Sequence, residues 1–444
     1  MNRLSGVGAA GRLLLAALTG GAVMGIGLTG AALALPGVAA PALLTVGTAG
    51  TPIVLTAVNG FNVPYDMSVA EALEEVRSVA PTSLRYPPGN VGDENDLTLA
   101  GLRSFQSTLK LSGPQAKATV ETRVFATRPD AHNRPEDAAQ AARDARSLGL
   151  NVAYWEVGNE PDLYSKNRGD PSWTAERYCQ VFRAQRAAIL QVDPAAKFAG
   201  PAVSNVEGGG ADFLAAFVRG CGDVVDLLTW HEYPTSGDQI DEDALASARR
   251  VTEHLARFRA LLRDPERNPL GTGRAVGVGV TEYSLSYRSD RPRHLSDMVA
   301  ALWAAETTLR LAEGGADLAQ YFALIGSGGH GLVDLAGVPR PALYAFQQLR
   351  FFRGEALTAG SSNPALWVHA ARTDGLLTVL ISNTATSPQA LASAVGGYRL
   401  IGAKTFTSQT AEDEAEPLRL KLDDALTLPA RSMTRLMYKA VPAG

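Results

Sequence analysis

Two glutamates stand where apolar runs of the chain give out. The first closes Tyr154-Trp155-Glu156-Val157-Gly158-Asn159-Glu160-Pro161, and the second closes Val276-Gly277-Val278-Gly279-Val280-Thr281-Glu282-Tyr283. A carboxyl just beyond a buried parallel strand sits in a partly desolvated mouth, the setting of a general acid. Pro161 removes the next N–H and turns the chain away, which leaves Glu160 over the strand end. Two carboxyls facing each other across such a mouth suit the cleavage of a glycosidic bond. One protonates the departing oxygen while the other attacks the anomeric carbon or activates water. A separation of about 5–5.5 Å implies direct attack and retention, and one near 9 Å an interposed water and inversion. Double displacement, with Glu160 as acid/base and Glu282 as nucleophile, predicts the short spacing.

For the two to meet, their strands must belong to one closed sheet. From Thr51 to about Phe352 short apolar runs alternate with helical segments, the texture of βα units around a parallel sheet. Strands are expected at residues 53–58, 83–86, 118–125, 151–157, 197–199, 225–230, 275–281 and 318–323. Helices are expected near 69–78, 97–109, 136–148, 173–191, 211–218, 243–262, 296–312 and 341–352. Asp170-Pro171 reads as an N-cap with proline at the first helical position, and Gly314-Gly315 as a helix stop. So many units in about 300 residues fit a closed barrel better than an open sheet, and no GxGxxG follows the first strand. Period-two alternation places Glu282 in one row with Val278 and Val280 facing inward, with Gly277 and Gly279 toward the helices.

Neighbouring acids read differently. Glu156 lies a layer deeper and reads as a buried structural partner, Asp162 as a loop residue, and Glu232 has parity opposite to His231 and Tyr233. The aromatics Phe61, Tyr65, Tyr164, Tyr283, Tyr287 and Tyr321 stand near strand ends, where they either stack on a sugar or anchor loops and core. Gly326-Ser327-Gly328-Gly329 is either a nest of free amides for an anion or a plain loop, the plain loop being preferred.

Beyond Phe352 the chain changes to short apolar runs at 366–371, 377–382, 399–402, 419–422 and 434–438, separated by turn residues. This is the pattern of a β-sandwich, to which residues 42–46 add a strand. The fold class is therefore α/β: a (β/α)8 TIM barrel over residues 41–352 with a C-terminal antiparallel β-sandwich domain over 353–444. Residues 1–40 are set apart. Arg3 and Arg12 precede an uncharged stretch to Leu35, then Pro36 and small residues, the layout of a secretory signal that is also long enough to anchor in a bilayer. The protein is accordingly expected outside the cytoplasm, secreted or anchored at the outer face of the membrane. Hydrophobic residues make up 46% and charged residues 19%, which excludes disorder. A formal charge of −4 argues against a nucleic-acid partner. The two cysteines, Cys179 and Cys221, read as buried thiols, with a bridge as the alternative. The six histidines show no ligand spacing, so neither metal nor cofactor is expected.

The motifs are also familiar as a set. Residues 155–164 (Trp-Glu-Val-Gly-Asn-Glu-Pro-Asp-Leu-Tyr) resemble the acid/base motif of clan A retaining glycoside hydrolases, and Thr281-Glu282-Tyr283 the matching nucleophile strand. His231 and Tyr233 are similar to that clan's sixth-strand signature, residues 84–90 (Leu-Arg-Tyr-Pro-Pro-Gly-Asn) to its second-strand end, and Leu428-Pro429-Ala430-Arg431 to its closing β-domain. Within the clan the nearest resemblance is to family 79, of β-glucuronidase and heparanase type, with families 39 and 51 behind it. Family 79 carries Gly-Gly-Asn-Ser where this chain has Pro88-Gly89-Asn90-Val91. The resemblance implies an oligosaccharide, polysaccharide or glycoside substrate, a β-glucuronide first, and supporting residues around the pair. Asn159 would bond the sugar 2-hydroxyl, Arg85 would hold Glu282 ionised and Tyr233 would donate to it. His231 would shape the pocket, with Asn90 and Tyr287 also against the substrate. Xylosidase, arabinofuranosidase or transglycosylase action on the same site is the first alternative, and a non-catalytic carbohydrate-binding surface protein the second.

Overall fold

The computed structural model describes residues 40–66, 69, 72–113, 115–125 and 133–441, so the expected signal or anchor lies outside the described residues. Strand β1 (Ala42–Pro52) precedes a closed parallel barrel of β2 (Gly60–Asn62), β3 (Ser83–Tyr86), β4 (Lys117–Thr122), β5 (Val152–Val157), β6 (Phe198–Val203), β7 (Leu227–Glu232), β8 (Gly277–Tyr283) and β9 (Leu318–Tyr321). The outer helices are Leu73–Ser78, Leu99–Ser112, Pro135–Leu148, Ala175–Leu190, Gly209–Cys221, Arg250–Arg263, Met298–Glu313 and Pro341–Leu349, one after each strand.

The first strand does not lie where the apolar run put it. Residues Leu55–Val58 form a helical turn, because Leu55 and Val58, three apart, bury the same side. The pairing segment is Gly60-Phe61-Asn62, where a Cβ on Gly60 would meet Ser83 Oγ at 2.2 Å and the Ala319 carbonyl at 2.6 Å. Similarly, Asp170 caps a turn at Ser172, and the helix starts at Ala175 behind the Thr174 hydroxyl, which accepts from the Arg177 amide. Helix Met298–Glu313 does stop at the glycine pair, with Gly315 left-handed at φ 69°.

Inside the barrel, Ala199, Leu227 and Leu318 pack beneath Tyr154 at the bottom. Above them Gln320 donates to Thr119 (3.0 Å) and Ser83 (3.3 Å), and a polar layer around Arg85 follows. Val278 and Val280, by contrast, belong to the outer core shared with the helices, and Gly277 and Gly279 face the lumen. This reverses the expected parity. A Cβ on Gly279 would meet the Leu318 carbonyl at 3.0 Å and Leu227 at 3.4 Å, so the lumen floor has no room for a side chain there.

Strands β10 (Glu355–Ser361), β11 (Leu366–Thr373), β12 (Leu376–Asn383), β13 (Gln389–Ala392), β14 (Tyr398–Phe406), β15 (Leu418–Arg419), β16 (Ala425–Leu428) and β17 (Ser432–Ala440) complete the second sheet. Its order is β15-β14-β17-β12-β11-β10-β1-β13-β16. All its pairings are antiparallel except β1 with β13, so the sheet is mixed. It curls until Leu391, Leu426 and Leu428 meet Leu377, Val379 and Leu436 across one core, as a sandwich would. On its other side Leu380, Phe406 and Met433 join the barrel's core. His369 of β11 ties the two together, reaching Glu313 (2.7 Å) and Glu306 (2.9 Å) of helix Met298–Glu313.

Cys179 and Cys221 form a disulfide, with Cα atoms 5.8 Å apart, and not a pair of buried thiols. The bridge joins helix Ala175–Leu190 to helix Gly209–Cys221. No helix among the described residues is long and apolar enough to cross a membrane.

Candidate active site

The mouth of the barrel is built on Arg85, which extends inward from β3 and is wholly buried. Its Nε donates to Glu156 Oε2 (2.5 Å), Nη1 to Asn62 Oδ1 (3.0 Å) and Glu282 Oε1 (2.6 Å), and Nη2 to Asn159 Oδ1 (2.9 Å). Nη2 also lies 3.0 Å from Glu121 Oε2. Burial opposes the guanidinium charge, but Glu156, Glu121 and Glu282 outweigh it and hold the group more firmly protonated than usual. Glu156 is held from its other side by the Thr229 hydroxyl (3.0 Å), a structural partner as its depth implied. Burial pushes the Glu121 carboxyl well up, against the pull of Arg85.

Glu282 reaches the lumen through a β-bulge. In register, Trp230 pairs with Val280 and His231 with Glu282, so β8 carries one residue more than β7. Toward β9 the pairing likewise slips between Val280 and Tyr283. The surplus residue changes the face that follows it, so Glu282 turns inward although Val280 points out. Tyr283 accordingly points out, against Trp303 and the Thr308 hydroxyl (2.8 Å).

Both Glu282 oxygens are engaged: Oε1 accepts from Arg85, and Oε2 from the Tyr233 hydroxyl (2.7 Å). Burial pushes this carboxyl up, but His231, Arg85 and the two hydrogen bonds outweigh it and hold it below the usual carboxylate range. Gly89, at φ +58°, brings its backbone so close that a Cβ would sit 3.2 Å from Glu282 Oε1. Only glycine suits both the angle and the approach.

Glu160 follows β5 in a left-handed conformation (φ 48°, ψ 50°), a strained setting for a residue with a side chain. Its amide donates to the Ala202 carbonyl (3.0 Å), and Asp162 beyond it accepts from the Ser204 amide (2.9 Å) and hydroxyl (2.7 Å), pinning the turn to β6. His231 Nδ1 is 3.0 Å from Glu160 Oε1 and 3.7 Å from Glu282 Oε2. Burial lowers the imidazole's affinity for a proton, yet Glu282 and Glu160 outweigh it and raise the group overall. Each of Glu160, His231 and Glu282 offers a ligand atom within 4.8 Å of the others, a spacing at which a cation could be held. The Arg85 charge already beside Glu282 opposes one, and Glu282 has no oxygen without a donor. The arrangement is made for moving protons.

These residues line a cleft of about 780 Å³. The expected site residues Glu160, Glu282, Asn159, His231, Tyr233, Asn90 and Tyr287 all border it, and Arg85 lies just beneath. Asn159 presents its amide beside Asn90 (3.4 Å). Of the six aromatics only Tyr287 lines the cleft. Phe61 and Tyr321 pack on Phe346, Tyr65 stacks on Tyr86, and Tyr164 donates to Asp93 (2.8 Å). The Gly326–Gly329 segment is no anion nest: the Gly326 and Gly329 amides donate to Val333 and Ser289, and Arg340 grips the carbonyls of Gly328 (2.8 Å) and Gly329 (3.1 Å). Sequence reasoning missed Phe322 and His330, which pack against Tyr233 and each other, and Lys166, Glu207, Arg250 and His254, which also line the cleft. Phe322 was within reach, since it continues the inward row of Leu318 and Gln320. The others come from loops and helix starts that carry no periodic signal.

Comparison with known proteins agrees with this geometry. The family model "Glycosyl hydrolases family 39" matches residues 149–394, more than half of the chain. Heparanase of Rattus norvegicus is 30% identical over 201 residues, 44% of this chain and 35% of its own length. The β-xylosidase of Geobacillus stearothermophilus is 26% identical over 299 residues, 57% of this chain and 56% of its own. The chain thus spans about a third of the heparanase and about half of the xylosidase. In fold it is similar to an α-L-arabinofuranosidase from Thermotoga maritima (TM-score 0.69, 13% identity, 90% of this chain and 100% of that one). A monomeric β-xylosidase from Caulobacter crescentus is also similar (TM-score 0.65, 16% identity, 90% of this chain and 100% of that one). The three families named by resemblance are all represented, with their order changed. Since the match begins before the strand that carries Glu160 and runs past Glu282 into the second sheet, this glycoside hydrolase of clan A belongs to glycosyl hydrolase family 39.

Proposed function

We propose that the chain is an exported, retaining β-glycosidase that works by double displacement on a neutral sugar of xyloside type. The observation that carries the mechanism is the approach of the two carboxyls, whose oxygens come within 4.8 Å. That falls with the short spacing of retaining enzymes and leaves no room for a water between carboxylate and sugar. Glu282, kept ionised by Arg85 and Tyr233, attacks the anomeric carbon as Glu160 gives its proton to the glycosidic oxygen and the C–O bond breaks. Glu160 then takes a proton from water, whose oxygen attacks the anomeric carbon and frees the Glu282 carboxylate. Glu160 is the more exposed of the pair (14% against 5%), as the residue that meets the leaving group and the water should be. His231, 3.0 Å from Glu160, orients that carboxyl between the leaving oxygen and the water. Asn159 is left with an amide to donate to the 2-hydroxyl, since its carbonyl is fixed by Arg85.

The preference for a neutral sugar comes from the glycone side. A uronate carboxylate needs a cation beside it. We take the wall around Tyr233, where Phe322 and His330 pack, as the glycone side, and Lys166 and Arg250, which also line the cleft, as belonging to the leaving-group side. Burial pushes His330 down to about 4, which leaves it neutral. Arg85 is fully engaged, and the Gly326 and Gly329 amides are taken up by the Val333 and Ser289 carbonyls. The β-glucuronide reading rests on the heparanase similarity. Export is supported by the layout of residues 1–40 and by the disulfide, which belongs to an oxidising compartment.

A screen of nitrophenyl β-xyloside, β-glucuronide, β-glucoside and α-arabinofuranoside should show fastest turnover on the xyloside. Glu282→Ala should abolish it, with azide restoring part as a glycosyl azide of inverted configuration. Full activity in that variant would end the assignment, and a glucuronide preference would overturn the neutral-sugar reading. Product analysis at high substrate separates hydrolysis from transglycosylation.

A further inference from the structure

The side of the second sheet that bears Phe406 and Met433 carries, beyond its packing on the barrel, charges in an arrangement that folding alone disfavours. Lys404 of β14 pairs across the ladder with Arg419 of β15 on one side and with Arg435 of β17 on the other. Three cations thus stand in one row across adjacent strands, with neighbouring Cβ atoms about 5 Å apart. A second row, Arg399 opposite Lys439, lies roughly 14 Å along the same strands. Like charges directly opposite are destabilising in a sheet. Among the described residues, the carboxylate within 4.0 Å of any of the five is Glu416, 3.8 Å from Lys404 and itself 90% exposed. The chain as a whole is acidic, so this concentration does not follow from composition.

Arg435 gives a second, independent sign. It is 93% buried by its 7% exposure, its guanidinium lies 3.5 Å over the Phe351 ring, and its Nε and Nη1 have no hydrogen-bond partner. A fixed, desolvated guanidinium is a strong donor to an oxyanion. Ile401, Lys404, Arg419, Arg435 and Met437 border a groove of about 330 Å³ along the first row. Phe351 follows the last barrel helix, which runs down from the mouth, so the groove sits at the end of the barrel away from the cleft.

We propose that this face is an accessory binding site for an acidic polysaccharide, whose regularly spaced anionic groups lie along the cation rows while the cleft remains open. The choice of a polysaccharide over other polyanions rests on the glycosidase reading above. A repeating linear polyanion matches a ladder of strand-spaced cations, and bound there it would hold the enzyme on an acidic matrix without occupying the active site.

The test is retardation of the full chain in native gels containing polygalacturonate, with dextran as the neutral control. The wild type should be retarded by polygalacturonate at low salt, released as salt rises, and unaffected by dextran. The Lys404→Glu/Arg419→Glu double variant should bind at least tenfold more weakly while turning over the nitrophenyl substrate at the wild-type rate. Should that variant fail to fold, Arg399→Glu/Lys439→Glu takes its place with the same expectations. Wild type that is not retarded, or folded variants that bind as well as wild type, would overturn the site. Preferential binding to phosphatidylglycerol vesicles over polygalacturonate would overturn the polysaccharide. The Glu282→Ala chain should be retarded as wild type is, so the binding result stands apart from any failure of the catalytic reading.

Discussion

Tyr233 and Arg85 grip opposite oxygens of Glu282, and the two grips are not equivalent. Arg85 supplies charge and is shared among five partners, whereas Tyr233 supplies one hydrogen bond to one atom. Tyr233→Phe therefore removes a stabiliser of the ionised carboxylate and little else. Since Glu282 works as the anion and is held below the usual range, the acid limb of the kcat/KM profile should lie at low pH in the wild type. In Tyr233→Phe that acid limb should move to higher pH, and kcat/KM near neutrality should drop roughly ten- to a hundredfold. An unmoved limb would mean that the hydroxyl only fills space. Glu160 was the more legible of the pair, because Asn-Glu-Pro at a strand end carries its own geometry. Glu282 was found for a wrong reason: strict alternation put Val278 and Val280 in the lumen, and only the bulge at Thr281 reconciles an inward Glu282 with outward valines.

A bulge is an insertion in pairing, and pairing is not written in one strand's sequence. The order of the barrel and most of its strand and helix positions could be read locally, from alternating apolar runs and their punctuation. What escaped was non-local: the three-residue β2, fixed by its neighbours' lack of space at Gly60, and the short β13 and β16, which exist only as each other's partners. The corrected lumen makes a prediction of its own. Gly279→Val should overpack the barrel floor against Leu318 and Leu227. It should cost about 1–3 kcal/mol in denaturant unfolding. Between barrel and sheet, His369 stands with a carboxylate on each nitrogen. Burial opposes its charge, but Glu306 and Glu313 outweigh it and push it up to about 10 from an ordinary 6.5. A group raised on folding stabilises fully below its unfolded value and loses that contribution as pH climbs through the folded one. His369→Gln should therefore lower the Tm most below pH 6.5, with the gap to wild type narrowing toward pH 10. A gap independent of pH would leave only a packing role.

At the scale of the molecule, the disulfide closes a loop of 42 residues between two outer helices. Chain-entropy reasoning gives such a closure about 4 kcal/mol. Cys179→Ser/Cys221→Ser should unfold at lower denaturant by a comparable amount, and reduction of the wild type should reproduce the change. Sequence alone favoured thiols here because two cysteines make no framework, and their approach depends on two helices meeting side by side.

Arg85 reaches from β3 to Asn62 on β2, Glu121 on β4, Glu156 on β5 and Glu282 on β8. It is therefore a tie across the circumference of the barrel as well as the counter-ion of the reacting carboxylate. Fold and turnover depend on one and the same cation. A library randomised at position 85 and sorted only for soluble, folded protein would be sorted for activity at the same time, and no neutral path leads away from arginine there. In this corner of the molecule, robustness and reactivity cannot drift apart.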